Sequence, residues 1–165
     1  MIYVGRVPTR KYSSVSGADG PQGYGELYAL ASTKSVSLST AWTQISSSSM
    51  WMNGLSDAAI TPVSSSGLLQ TITAGVYKVD SAVSFSGSVS DNMEIEILIN
   101  AATSLGNNHA DRKLGTGGDI GAAPLSGLHD LSSGDTIGLY ARSTSAAATI
   151  TLKHANINMD MVAAS

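Results

Sequence analysis

The stretch Leu131-Ser-Ser-Gly-Asp-Thr-Ile-Gly-Leu-Tyr-Ala-Arg142, resumed after a small-residue turn by Thr149-Ile-Thr-Leu-Lys-His-Ala-Asn-Ile-Asn-Met-Asp-Met161, decides the fold. Ser133-Gly134-Asp135 is a turn signal, because glycine accepts positive φ and aspartate hydrogen-bonds the nearby backbone. Beyond it Ile137, Leu139 and Ala141 point one way, and Thr136, Gly138, Tyr140 and Arg142 the other. A period of two marks a half-buried strand. The next run places Ile150 and Leu152 on one face. Its phase then slips by one near Lys153-His154, and Ala155, Ile157, Met159 and Met161 continue the apolar set. Such a slip predicts a β-bulge. Two amphipathic strands cannot bury their faces alone, so further strands must cover them.

Upstream, residues 26–31 and 36–38 read as short strands, and 40–45 as another. Asn53-Gly54 is a strong turn dipeptide, and 55–67, with Pro62, Ser64–Ser66 and Gly67, reads as a loop. Ala74-Gly75 is a tight turn; 76–83 and 82–89 read as alternating strands, the second around Phe85. In the run 93–100, Met93, Ile95, Ile97 and Ile99 share one face, opposite Glu94, Glu96, Leu98 and Asn100. Asn107-Asn108 reads as a turn, 109–114 as a strand and 116–119 as a turn. No stretch has helical periodicity. Many short strands with turns between them predict an all-β antiparallel sandwich.

The 165 residues suffice for one domain with a real core. Charged residues make up 13%, well below the usual quarter, and serine, threonine, alanine and glycine take their place. That surface suits either a subunit of an assembly or an exported or viral β domain. A net charge of −3 gives no bulk basic character for nucleic acid. The absence of cysteine removes disulfides and thiolate chemistry. No apolar run approaches the 18 or so residues of a membrane span, and the N-terminus lacks the order of a signal peptide. The expectation is a soluble protein made in a host cytoplasm, with neither membrane nor nucleic acid as partner.

Residues 1–23 differ from the rest. Arg6, Arg10 and Lys11 against Asp19 give +2, and the remaining six bases and eleven acids give −5, which together make −3. With Pro8, Pro21 and no periodicity, this segment reads as an extended arm reaching up to roughly 75 Å. Its apolar residues Ile2, Tyr3, Val4, Val7 and Tyr12 have no use on a free tail. Together with Arg6, Arg10 and Lys11 they predict docking onto another protein. The division is therefore an arm at 1–23 and a β domain at 24–165.

Six segments in order, Trp42-Thr-Gln-Ile45, Ala74-Gly-Val-Tyr-Lys-Val79, Val83-Ser-Phe-Ser-Gly-Ser88, Glu94-Ile-Glu-Ile-Leu-Ile-Asn100, Leu131-Ser-Ser-Gly-Asp-Thr-Ile137 and Ile150-Thr-Leu-Lys-His-Ala-Asn156, resemble the jelly roll of tumour-necrosis-factor cytokines and complement-type heads. The resemblance is closest to the versions carried on phage fibres and capsids, and covers roughly 40–162. It implies a homotrimer about a threefold axis and a phage virion protein. A single phenylalanine and 5% aromatics depart from the aromatic-rich trimer core of the cytokines. Leu98 and Tyr140, apolar on strand faces that a lone sheet leaves to solvent, are the candidates for the trimer interface.

Chemical sites are sparse. His109, His129 and His154 form no metal-binding motif; His109-Ala-Asp111 has ligand types, but the expectation is no metal and no cofactor. Glu94 and Glu96 share a strand face, where paired carboxylates suit a glycosidase but more often form a solvated or interface face. Asp119, Asp130 and Asp135 sit at turns, and Gly115-Thr-Gly-Gly118 lacks the lysine of a phosphate loop. No catalytic residue is assigned, and an enzyme is not expected. Two readings remain. One is a capsid decoration or cement protein, a trimer on the outside of a phage head whose arm binds the major capsid protein or another virion protein. The other is a receptor-binding fibre or tail knob, recognising a host glycan or protein through loops such as 55–67 and 101–119 and exposed aromatics such as Trp51. The chain shows no shaft repeat, which favours the first.

Overall fold

Ile150, Leu152, Ala155, Ile157, Met159 and Met161 all face the interior of one continuous strand. The computed structural model describes residues 23–30, 34–46, 50–87, 92–115, 119–144 and 147–164. Among these there is no helix, and the chain runs as β1 (Tyr24–Ala29), β2 (Ser35–Leu38), β3 (Thr43–Gln44), β4 (Met52–Ser56), β5 (Ile60–Val63), β6 (Leu68–Thr71), β7 (Gly75–Gly87), β8 (Asn92–Ile99), β9 (Thr103–Lys113), β10 (Gly121–Leu131), β11 (Thr136–Ser143) and β12 (Ala148–Ala164).

Two antiparallel sheets face each other. The first has the order β10-β7-β12-β1-β4, with β2 also paired to β12; the second has the order β5-β6-β11-β8-β9, with β3 also paired to β11. β12 is the spine of the first sheet. One edge pairs with β7 from Ile150 to Ala164, and the other pairs with β2 at 148–151 and β1 at 155–160. Its register slips between Leu152 and His154, the bulge that the alternation predicts, so the apolar set keeps to the core side. Between the sheets Leu27, Tyr77, Phe85, Ile97, Leu139 and Leu152 are fully buried. Burying each such side chain contributes about 1.5–3 kcal/mol, which is the main source of cohesion. The fold is the all-β antiparallel sandwich that the alternation implies, with the jelly-roll form that the resemblance implies.

Several local readings change. Asn53-Gly54 does not turn the chain but lies inside β4, where the register against β1 jumps between Gly25↔Ser56 and Leu27↔Asn53. A Cβ on Gly54 would stand 2.7 Å from Cδ of Glu26, so the glycine serves a close crossing at a bulge. The loop read at 55–67 contains β5, whose Pro62 is tolerated because β5 is an edge strand. The strands read at 76–83 and 82–89 are one strand, β7, ending at Gly87. Asn107-Asn108 is interior to β9; the hairpin turn sits at Asn100 (φ 52°) and Ala101 (φ 61°), with Ala102 N–H donating to the Ile99 carbonyl at 3.1 Å. Asn100 is clamped from outside: its Nδ2 donates to Asp135 Oδ1 at 2.8 Å and its Oδ1 accepts from Thr136 N at 2.9 Å.

Of the arm, only Gly23 is described: its carbonyl accepts from Met161 N at 2.7 Å. Ile2, Tyr3, Val4, Arg6, Val7, Arg10, Lys11 and Tyr12 lie outside the described residues.

Phe85, fully buried opposite Leu152 and Gly121, is the core's test position. Phe85→Ala is expected to lower the unfolding free energy by about 3–5 kcal/mol, read from urea denaturation.

Candidate functional site

The five-strand path β10-β7-β12-β1-β4 of the first sheet presents one face outward. Cross-strand pairing sorts it into rows. His154, Ser84 and Ala122 form one row and Tyr28, Asn156, Ala82 and Pro124 the next. Then come Glu26, Asn158, Asp80 and Ser126, and finally Tyr24, Asp160, Lys78 and Leu128. Among these four rows carboxylates and lysine occur only in the last two, where Lys78 pairs with Asp80 at 2.6 Å; Lys153 stands at the bulge beside the first row, and Asp130, opposite Val76, lies beyond the last. The first two rows hold mostly small side chains, with Tyr28 and His154, around a shallow hollow of about 290 Å³, lined by Tyr28, Leu30, Ala82, Ser84, Ala122 and Asn156 among others. Leu30 at the rim is 62% exposed. Asn156 is locked in this face, its Oδ1 accepting from Ala82 N at 2.8 Å.

The outward face of the second sheet gathers the chain's chemistry. β8 and β9 set Glu94 opposite Asp111 and Glu96 opposite His109. His109 Nδ1 lies 3.5 Å from Glu96 Oε2, and its Nε2 lies 3.3 Å from Asp111 Oδ1. Glu96 is nearly fully buried and accepts a short hydrogen bond from Ser104. Glu94 accepts from Arg142 Nε, and that guanidinium lies 4.5 Å above the Trp42 ring. Trp42 also meets the His109 ring edge-on, at 6.0 Å between centroids. Beside Glu94 and Arg142 a polar hollow of about 240 Å³ opens to solvent. Glu94 and Glu96 do not flank a cleft as glycosidase carboxylates do, since one is tied to arginine and the other lies buried beside histidine and serine.

At the seam between the sheets, β9 bulges between the Glu96↔His109 and Leu98↔Ser104 pairs, with Gly106 at φ 64°. The bulge carries Asn108 into the interior, where its Nδ2 meets His129 Nε2 at 2.8 Å. Asn107 reaches the Leu128 carbonyl at 3.3 Å. Burial pushes the His129 imidazole below its usual pKa, because the charged form has no water there.

Leu98 and Tyr140, the interface candidates, lie on the outward side of the second sheet, yet the single chain already buries them to 2% and 5% exposure. Tyr140 packs over Gly138, beside Leu68 and Gln44, and Leu98 is the cross-strand partner of Gly138. Neither offers open area to another subunit. Trp51 is likewise not an exposed recognition residue: it is 4% exposed and donates from Nε1 to the Ile45 carbonyl at 2.8 Å. Of the supposed recognition loops, 55–67 contains the short strand β5 and 101–119 is mostly strand β9. Sequence reading passed over the small-residue face of β7, β10 and β12, whose only signal is serine, alanine and asparagine where charges usually stand. The Glu-x-Glu and His-x-Asp pairs were visible, but their meeting depends on strand register.

No family model matches the chain, and no curated protein matches it by sequence. Solved structures do match in fold. The Eiger TNF of S. frugiperda superposes with a TM-score of 0.62 at 12% identity, covering 88% of this chain and 96% of that one. Murine APRIL gives 0.59 at 16% identity, with 84% and 99% covered. The globular domain of zebrafish complement 1qA gives 0.60 at 8%, with 87% and 100% covered. The likeness is one of architecture, and it extends over nearly the whole of each neighbour.

The His129 seam has a pH signature. Its folded-state pKa lies below the unfolded value, so the unfolded chain binds more protons as pH falls below about 6.5. Stability present above that pH is lost as pH drops toward the folded-state value, with a slope of at most about 1.4 kcal/mol per pH unit. His129→Gln is expected to flatten urea midpoints between pH 7.5 and 5 relative to the parent chain.

Proposed function

We propose that this protein is a non-catalytic structural subunit: a homotrimeric jelly roll that decorates the outside of a phage head and stabilises the shell through its arm at 1–23. The observation that carries self-association is the uncharged half of the first sheet's outward face, from His154, Ser84 and Ala122 to Tyr28, Asn156, Ala82 and Pro124. Desolvating these two rows costs little, because they hold no carboxylate, lysine or arginine, and their mostly small side chains allow close approach. A second copy of the same chain is the occupant that the fold supports, since the tumour-necrosis-factor and complement-head architecture is one of trimers. The charged rows at the other end, with Lys78 and Asp80 already paired, suit the solvated rim.

The virion assignment rests on the resemblance of the strand segments to phage jelly rolls and on the composition of the arm. Three arms on one trimer bind in concert, so modest contacts by Ile2, Tyr3, Val4, Val7 and Tyr12, with Arg6, Arg10 and Lys11 against acidic capsid surface, add up by effective concentration. Shell stability then rises by mass action, since the trimer binds only the assembled lattice.

Two measurements test this reading. Ala82→Arg places a bulky charge in the middle of the uncharged rows, at an exposed position that leaves the core intact. Light scattering is expected to show a trimer for the parent chain and a monomer for the variant. A monomeric parent, or a variant that stays trimeric, overturns the assigned face. Shell-binding assays of the full chain and of residues 24–165 test the arm. Binding only by the full chain supports decoration. Trimers that ignore shells in both forms but bind host cells shift the assignment to a receptor-binding knob.

A further inference from the structure

We propose that Glu94, His109 and Asp111 form a binding site for one divalent transition-metal ion, of the zinc or manganese class, on the outward face of the second sheet. One ligand atom from each of the three lies within 4.8 Å of the other two. Ligand atoms around a tetrahedral ion at 2.0–2.2 Å stand about 3.5 Å apart, and His109 Nε2 and Asp111 Oδ1 are at 3.3 Å. Small rotations of the half-buried Glu94 and the exposed Asp111 complete the approach.

Three features make this more than a meeting of acids. First, the two nitrogens of His109 have different surroundings. Nδ1 faces Glu96 Oε2 at 3.5 Å, and Nε2 faces Asp111 Oδ1 at 3.3 Å. A metal-bound histidine is commonly oriented by a carboxylate behind its other nitrogen, and Glu96 occupies that place. Second, Glu96 is itself fixed, buried to 1% exposure and bonded by Ser104, while Trp42 packs edge-on against the imidazole ring. The ring is therefore held before any ion arrives. Third, the charge fits. Glu94, Glu96 and Asp111 contribute −3 and Arg142 +1, leaving −2 with a neutral imidazole, which a divalent ion cancels. Arg142 bonds Oε2 of Glu94, which leaves Oε1 for coordination, and the exposure of His109 and Asp111 gives the ion and its waters a way in.

The mixed nitrogen and oxygen set selects the ion. Calcium and magnesium prefer all-oxygen shells, whereas imidazole suits zinc and its first-row neighbours. The site needs no second subunit and lies on the opposite sheet from the proposed trimer face, so it stands or falls apart from that reading. A bound ion would pin the edge strand β9 to β8.

The test is calorimetric titration of the tag-free full chain with Zn²⁺, Mn²⁺ and Ca²⁺, with thermal unfolding in parallel. One ion per chain is expected for Zn²⁺ or Mn²⁺, and Tm should rise by about 5–10 °C at a hundredfold excess over the dissociation constant. Asp111→Asn changes a mostly exposed side chain and is expected to abolish binding without altering the metal-free Tm by more than a few degrees. Glu96→Gln should weaken affinity about 10–100-fold, as loss of an orienting carboxylate does. His154→Asn should leave affinity unchanged. Absence of saturable Zn²⁺ or Mn²⁺ binding, unchanged binding by the Asp111 variant, or preference for Ca²⁺ would each overturn the proposal.

Discussion

The backbone pairing of β12 on both edges is the constraint on which the molecule depends. A strand of 17 residues exposes a long row of N–H and C=O groups on each side, and none can be buried unpaired. β7 satisfies one side along nearly the whole length. The other side is shared end to end by β1 and β2, so three separate pieces of chain are brought to one strand. The bulge at Lys153 keeps this arrangement compatible with a single apolar face, because a slip of one residue would otherwise turn Ala155, Ile157, Met159 and Met161 to solvent. β11 repeats the scheme in the second sheet, with β8 on one edge and β3 and β6 on the other.

The two sheets use their outward faces differently. The first keeps two of its cross-strand rows free of carboxylate, lysine and arginine, with mostly small side chains. The second concentrates Glu94, Glu96, His109, Asp111 and Arg142 with Trp42, and covers Leu98 and Tyr140 from within the chain. The core between them is filled by ordinary aliphatic packing. What distinguishes this chain lies on its outer surfaces.

Alternation made the strands legible, from 93–99 to 136–142 and 150–161, and even the bulge showed as a phase slip. What failed were readings that depend on a neighbour. Asn53-Gly54 has the chemistry of a turn, but pairing with β1 and the nearby Glu26 side chain made it a strand bulge. Asn107-Asn108 lost its turn to Asn100-Ala101, because Asn100 donates to Asp135 and accepts from Thr136 in a distant segment. Leu98 and Tyr140 have the phase of solvent-facing residues, yet Gly138 leaves a gap into which Tyr140 folds. Glu94, His109 and Asp111 were each visible, and their meeting was not, since it follows from the β8–β9 register alone. The expected arm at 1–23 is read from composition, and all of it but Gly23 stands outside the described residues.

The outermost strands share a property that bears on how the protein behaves when crowded. β10 carries Pro124 and β5 carries Pro62, while β4 is bulged at Gly54 and β9 around Gly106. Each device interrupts the row of main-chain donors that a foreign strand would need to extend the sheet. Extension of either sheet by a foreign strand is therefore disfavoured at the two ends of each strand order. At high concentration, copies of this chain meet more readily through side-chain surfaces than by sheet growth.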